Sequence, residues 1–166
     1  MGQNDIYMKL RALAPTPADE LCRCCGAPYK LMSTLGFNPV HCMNCNLEVP
    51  PDALGFSRPL VEAIASWRNV YDAIDRLWLD SGPYEQWARW ELTDIASAVN
   101  RHGRRVQDQV NAVRRCYYWY FQDQTDPAYR PVDLCPVCGV RLRDYASGIF
   151  LQRVCEGDSI VTPGPR

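Results

Sequence analysis

Leu21-Cys22-Arg23-Cys24-Cys25-Gly26 and, sixteen residues after Cys25, Cys42-Met43-Asn44-Cys45 set out two Cys-x-x-Cys pairs. Two thiolates three residues apart converge on one metal ion only if the backbone turns sharply between them, and a glycine after the second eases that turn. Two such knuckles at neighbouring hairpin ends supply four sulfurs in a tetrahedron, which points to Cys22, Cys25, Cys42 and Cys45 holding one structural zinc ion. Four thiolates leave no open coordination position, so this site stabilises a fold rather than activating water. Cys24 is then surplus, either a swapped ligand or a bystander. His41 is an alternative ligand, or else a solvated hairpin histidine.

The same spacing returns near the other end of the chain. Leu134-Cys135-Pro136-Val137-Cys138-Gly139 is followed, again after sixteen residues, by Cys155-Glu156-Gly157-Asp158. The offsets of three, seventeen and three residues make an internal repeat, with Asp158 where the fourth cysteine should stand. Two readings follow. Carboxylate oxygen binds zinc, so Cys135, Cys138, Cys155 and Asp158 form a mixed second site; or this copy is a degenerate ribbon that has lost its metal and keeps its shape by packing.

Working outward, 166 residues suit one compact unit, and 47% hydrophobic against 22% charged residues is the balance of a globular protein. No stretch approaches the ~20 apolar residues of a membrane span, and the start lacks a basic segment followed by an apolar one. Nine cysteines, an odd count in clustered pairs, speak for metal in a reducing cytoplasmic compartment rather than for a disulfide framework. The net charge of −1 excludes a global positive field for nucleic acid.

Residues 1–20 read as an irregular lead-in and 21–56 as the first zinc ribbon, interrupted by Gly36, Pro39, Pro50, Pro51 and Gly55. Residues 57–121 read as a helical core plus an aromatic strand. The first helix runs from Pro59 to about Asp80, with Leu60, Ile64, Trp67, Tyr71, Ile74 and Trp78 on one face. A second covers about 84–92, using Tyr84, Trp87 and Leu92. A third runs from near Asp94 to Arg115, with Ile95, Val99, Val106, Val110 and Val113 inward and Gly103 a point of weakness. Cys116-Tyr117-Tyr118-Trp119-Tyr120-Phe121 has strand character. A loop over 122–133 leads to the second, degenerate ribbon at 134–160, and 161–166 read as frayed. The expected class is α+β: two zinc-ribbon β-hairpin modules around about three helices.

With that outline in place, the chain resembles, over roughly residues 21–160, a bacterial family of Zn-ribbon-containing proteins of unknown function with a suggested role in nucleic-acid binding. The resemblance rests on the first ribbon with Val49-Pro50-Pro51 and on the helix bearing Trp67, Tyr71, Asp75 and Leu77. It continues through Asn100-Arg101-His102-Gly103-Arg104-Arg105, Tyr117-Tyr118-Trp119-Tyr120, Cys135-Pro136-Val137-Cys138-Gly139 and Gly148-Ile149-Phe150. Members usually close the second ribbon with another cysteine, so Asp158 is a departure.

Two binding functions follow. Residues 97–116 carry five Arg against one Asp; Arg101, Arg104, Arg105, Arg114 and Arg115, with aromatic residues for base stacking, suit nucleic acid. Residues 58–96 oppose them with seven acids against four Arg, and a surface of divided charge suits a protein partner. That partner reading, ranked first, includes an immunity or inhibitor protein that neutralises a bacterial toxin such as a nuclease, with Asp72, Asp75, Asp80 and Glu85 imitating phosphates. No Gly-rich phosphate loop and no zinc-deaminase signature is present, so an enzyme is not expected, nor a small-molecule substrate.

Overall fold

The computed structural model describes residues 5–11, 14–24, 26–35 and 38–165; Cys25 and Gly36 lie outside the described residues. The chain is α+β, with three α-helices on one face of a single six-stranded sheet.

Helix α1, Arg58–Leu79, begins with Pro59 in its first turn and buries Leu60, Ile64, Trp67, Tyr71 and Ile74. Trp78 closes the stripe half-buried, edge-on to Phe121. The break after it is held by Glu85, whose carboxylate accepts the amides of Ser81 and Gly82 at 3.2 and 2.9 Å. Helix α2, Glu85–Thr93, buries Ala88 and Leu92, whereas Tyr84 and Trp87 stand exposed.

Helix α3, Ala98–Asn111, is shorter at both ends than its expected span. Asp94–Ser97 form the entry turn instead: Asp94 accepts the Ala96 amide, and Ser97 Oγ accepts the Asn100 amide at 3.3 Å. At the far end the Asn111 side chain accepts the Cys116 amide, so the chain has already turned toward a strand. Val113 falls in that turn and is exposed rather than inward. Gly103 does not interrupt the helix; an added Cβ would run into the Tyr118 and Trp67 rings, so glycine is what lets α3 lie flush on both. Buried Asn100 donates to the carbonyls of Leu92 and Asp94 and accepts from the Tyr118 hydroxyl, tying α2, α3 and the sheet together.

The strands are β1 (Tyr29–Leu31), β2 (Val40–Cys42), β3 (Cys116–Trp119), β4 (Arg143–Asp144), β5 (Gln152–Cys155) and β6 (Ile160–Pro163), in the order β2-β1-β3-β6-β5-β4. The first ribbon supplies β1 and β2, antiparallel, and the second supplies β4, β5 and β6, also antiparallel. The aromatic strand β3 lies between them, parallel to β1 and to β6. The two ribbons are therefore halves of one sheet. Its helix-facing side buries Leu31, Cys116, Tyr118 and Ile160, and a smaller cluster of Met43, Tyr117, Val154 and Val161 fills the other face.

Described residues near both ends are packed where the sequence suggested irregular or frayed chain. Val161 and Thr162 are fully buried in β6 rather than frayed. Within the lead-in, Leu10 is fully buried and the Tyr7 hydroxyl accepts the Phe56 amide at 2.8 Å.

Candidate metal centres

Each knuckle is a turn whose backbone the sequence shapes locally. After Cys42, the Asn46 amide returns to the Cys42 carbonyl at 2.9 Å, and the Cys42 amide bonds the Leu47 carbonyl at 2.9 Å. The Cys135 knuckle repeats both bonds, from Gly139 at 2.9 Å and to Val140 at 2.8 Å. Amides also point at sulfur: Cys24 N–H to Cys22, Asn44 N–H to Cys42 and Val137 N–H to Cys135, at 3.3, 3.3 and 3.4 Å. Such bonds stabilise a thiolate by favouring its charged form.

The residue after each second ligand position is left-handed: Gly26, Asn46, Gly139 and Ser159, with φ of 78, 62, 72 and 54°. Glycine takes that conformation without steric cost, but Ser159 does not. The turn at Asp158 thus has the shape of the other knuckles although an aspartate stands where they have a cysteine.

At the second centre the ligand atoms of Cys135, Cys138, Cys155 and Asp158 all lie within 4.8 Å of one another. Bond lengths of about 2.3 Å to sulfur and 2.0–2.2 Å to oxygen require tetrahedral edges of about 3.8 Å between sulfurs and 3.5–3.7 Å between sulfur and oxygen. The sulfurs of Cys138 and Cys155 are 3.8 Å apart; Asp158 Oδ2 is 3.3 Å from the Cys135 sulfur and 3.5 Å from that of Cys155. The side chains already outline the polyhedron. Burial pushes the Cys135 thiol up to about 12, whereas contact with Cys138, and then with Cys135 and Cys155, holds Asp158 below the ordinary carboxylate value. A divalent cation is what allows such neighbours to be ionised together. The guanidinium of Arg104 adds positive charge beside Asp158.

At the first centre the sulfurs of Cys22, Cys24, Cys42 and Cys45 lie within 4.8 Å of one another. Cys42 is buried, Cys22 and Cys45 are partly so, and Cys24 is exposed. Three of the four expected ligands converge here; the fourth, Cys25, lies outside the described residues. His41 is not among the converging groups. It is buried rather than solvated, donates through Nδ1 to the Asn46 carbonyl at 3.2 Å, and is pushed down to about 4 by that burial. Cys116 stands apart, fully buried in β3 as a core residue.

Several contributors carried no signal in the spacing. Lys30 is 1% exposed, held by the side chains of Asn46 and Gln152 and over the Trp119 ring at 4.7 Å. Burial lowers it to about 8, opposed by Cys42 and Cys45, so its ammonium is placed to offset negative charge on those two sulfurs. The second ribbon also clasps the first. Tyr145 donates to Asn44 Oδ1 at 2.7 Å, the Ile149 amide to the Asn44 carbonyl, and Gln152 to the Met43 carbonyl. Alternation along a strand would have put Lys30 opposite Tyr29 and Leu31, but only the crossing of two distant segments shows what it meets there.

The remaining candidates separate. A family model described as a domain of unknown function, DUF2310, matches residues 32–122, more than half of the chain. The chain belongs to the DUF2310 family. The match takes in the second knuckle, the three helices and β3, which is narrower than the resemblance over 21–160, and it carries no statement about activity, source or partner. No curated protein and no solved structure matches. Within the DUF2310 region, Asp72 is buried, beside Ser33, and Glu85 is engaged with backbone amides. Asp75 is half-buried and raised to about 6 by burial and then by Asp72. Only Asp80 of that acidic set is classed as exposed, so the four do not form a surface row. Among the arginines, Arg101 and Arg105 are exposed, Arg114 stacks on Tyr29, and Arg115 pairs with Glu156 at 2.9 Å. Tyr117 and Tyr118 are buried and present no stacking face. No helix among the described residues is long and apolar enough to cross a membrane.

Proposed function

We propose that both centres hold zinc and that this DUF2310 protein is a non-catalytic, zinc-braced docking module for a protein partner, working in a reducing compartment. Both donor sets fill all four positions with side chains, which is the arrangement of structural rather than catalytic zinc. Placed on opposite halves of one sheet, the two ions brace the frame on which the helices sit.

The observation that carries the choice of partner is the surface of α2. Tyr84, Trp87 and Trp90 are 61, 47 and 57% exposed, and Leu79 at the end of α1 is 52% exposed. Tyrosine and tryptophan are the residues that anchor protein interfaces, and two tryptophans on a nine-residue helix with a tyrosine just before it, each about half exposed, leave much of their area without use to the monomer. The nucleic-acid alternative keeps Arg101 and Arg105 but loses Tyr117 and Tyr118 to the core. The toxin-neutralising form of the partner reading loses Asp72 in the same way.

The test is affinity capture by the wild type and by a Trp87→Ser, Trp90→Ser variant, beside electrophoretic shift with single- and double-stranded DNA and RNA over a salt series. A protein retained by the wild type and lost from the variant is expected. Salt-dependent nucleic-acid binding lost in Arg101→Ala, Arg105→Ala, with no aromatic-dependent protein, would overturn the choice.

A further inference from the structure

The knuckle that carries Cys42 and Cys45 is gripped from outside by the other ribbon. Tyr145 donates to Asn44 Oδ1 at 2.7 Å, the Ile149 amide to the Asn44 carbonyl at 2.9 Å, and Gln152 Nε2 to the Met43 carbonyl at 3.2 Å. Gln152 also accepts from Lys30 Nζ at 2.9 Å, and Lys30 donates in turn to the side chain of Asn46, the residue after Cys45. Gly148 lies against the Met43 carbonyl, which an added Cβ would approach to 3.3 Å. The groups of the second ribbon in this clasp all fall within residues 145–152, on the excursion between Cys138 and Cys155.

That excursion has little of its own to hold it. Strand β4 is two exposed residues, paired with β5 at Arg143 and Asp144, and the Tyr145 amide adds one bond to the Gln152 carbonyl. Beyond it Ile149 and Leu151 are 76 and 72% exposed. Both ends of the excursion, however, are donors of the second centre. A cation held by Cys138 and Cys155 pins those ends together and narrows the conformations open to the residues between them.

We propose that the two metal centres are coupled through this clasp; the proposal rests on the zinc reading above. Metal at the second centre orders residues 145–152, and they in turn hold the Cys42–Cys45 knuckle in ligand geometry. Tyr145 and Gln152 are positioning residues, acting on the first centre through Asn44 and Met43. Coupling between two binding events is reciprocal, so an ion that fixes the knuckle at Asn44 strengthens the second centre by the same factor. The consequence is a narrower range of free zinc over which the sheet passes from unbraced to braced at both halves.

The test uses the full chain, with zinc counted first. Chelators of graded affinity are added, and freed thiols are pulse-alkylated and mapped by peptide mass spectrometry, which reads Cys42 and Cys45 separately from Cys135 and Cys155. Cys138→Ser opens the second centre and is expected to expose Cys42 and Cys45 to alkylation at roughly three- to ten-fold lower chelator strength, the span that one hydrogen bond carries. Tyr145→Phe leaves every ligand in place. It is expected to keep two equivalents of zinc while shifting Cys42 and Cys45 the same way and, by reciprocity, Cys135 and Cys155 with them. In the Cys138→Ser background the Tyr145→Phe change should add less than it does alone, because the clasp is already loosened. Release of Cys42 and Cys45 at wild-type chelator strength in Tyr145→Phe, or a shift there that leaves Cys135 and Cys155 unmoved, would overturn the coupling while leaving the zinc reading in place. A wild type that holds fewer than two equivalents would instead overturn the zinc reading, and the proposal with it.

Discussion

Asp158→Ala removes one corner of the second tetrahedron and leaves the three cysteines in place. Structural zinc contributes about 10–16 kcal/mol in small zinc-binding units, so one ligand of four accounts for roughly 3–4 kcal/mol. At 1.4 kcal/mol per decade, that is a loss of about 10²- to 10³-fold in affinity at this centre. Asp158→Cys should behave in the opposite way. The sulfur–oxygen edges of 3.3 and 3.5 Å need to lengthen by only a few tenths of an ångström to reach the 3.8 Å between Cys138 and Cys155, and the left-handed Ser159 already shapes the turn. The assay is zinc stoichiometry followed by competition with chelators of graded affinity. Two equivalents are expected in the wild type and in Asp158→Cys. In Asp158→Ala one equivalent should pass to a chelator that the wild type resists. Identical counts and competition curves for wild type and Asp158→Ala would refute Asp158 as a ligand and return the second ribbon to a metal-free, packed copy.

Cys42→Ser removes a buried ligand of the first centre and should release its zinc, with β1 and β2 losing amide protection in hydrogen exchange while α1 keeps it. Gly103→Ala should destabilise the chain by about 1–3 kcal/mol in chemical denaturation, because overpacking against Tyr118 and Trp67 outweighs the ~1 kcal/mol gained in helix propensity; a more stable variant would refute the close approach. Asp75, raised from 3.8 to about 6 mainly by burial, is ionised at pH 7.5 in both folded and unfolded chains and destabilises the fold there. In full that displacement corresponds to about 3 kcal/mol, reduced to about 1 kcal/mol by the solvent that reaches a half-exposed carboxylate. Between about pH 6 and 4 the folded chain binds the proton first, so stability from this group rises as pH falls. Asp75→Asn should therefore gain about 1 kcal/mol at pH 7.5, and the gain should shrink toward pH 5; a constant gain would refute the assignment.

Much of this molecule was legible in the order of its residues, because the interactions involved are local. A Cys-x-x-Cys turn is closed by bonds within six residues, so the knuckles at Cys42, Cys135 and Cys155 could be read from spacing. So could α1, whose stripe from Leu60 to Ile74 repeats at the helical period and is buried as that period requires. What spacing could not convey is who meets whom across the fold. Val113 and Trp87 fit the apolar pattern, yet α3 stops before the first and α2 buries Ala88 and Leu92 while leaving the second exposed. Asp72 has the composition of a surface acid and is buried by the crossing of Ser33 over α1. Lys30 is unremarkable in sequence and becomes a buried counter-charge only when Asn46, Trp119 and Gln152 arrive from three other segments.

The two metal-binding motifs show the same division. The sequence by itself determined that this chain carries two copies of a four-ligand pattern, since ligand spacing is a property of one short turn. Only the tertiary structure decided that the copies form one sheet, with β3 inserted in parallel between them, because strand pairing depends on contacts some ninety residues apart in the case of β1 and β3. It also brought Asp158 to its neighbours: the spacing left this residue open between a fourth ligand and a degenerate copy, and the fold sets its oxygen 3.3 and 3.5 Å from the sulfurs of Cys135 and Cys155, because only the packing of the two hairpin ends brings the Cys135 turn to the Asp158 turn.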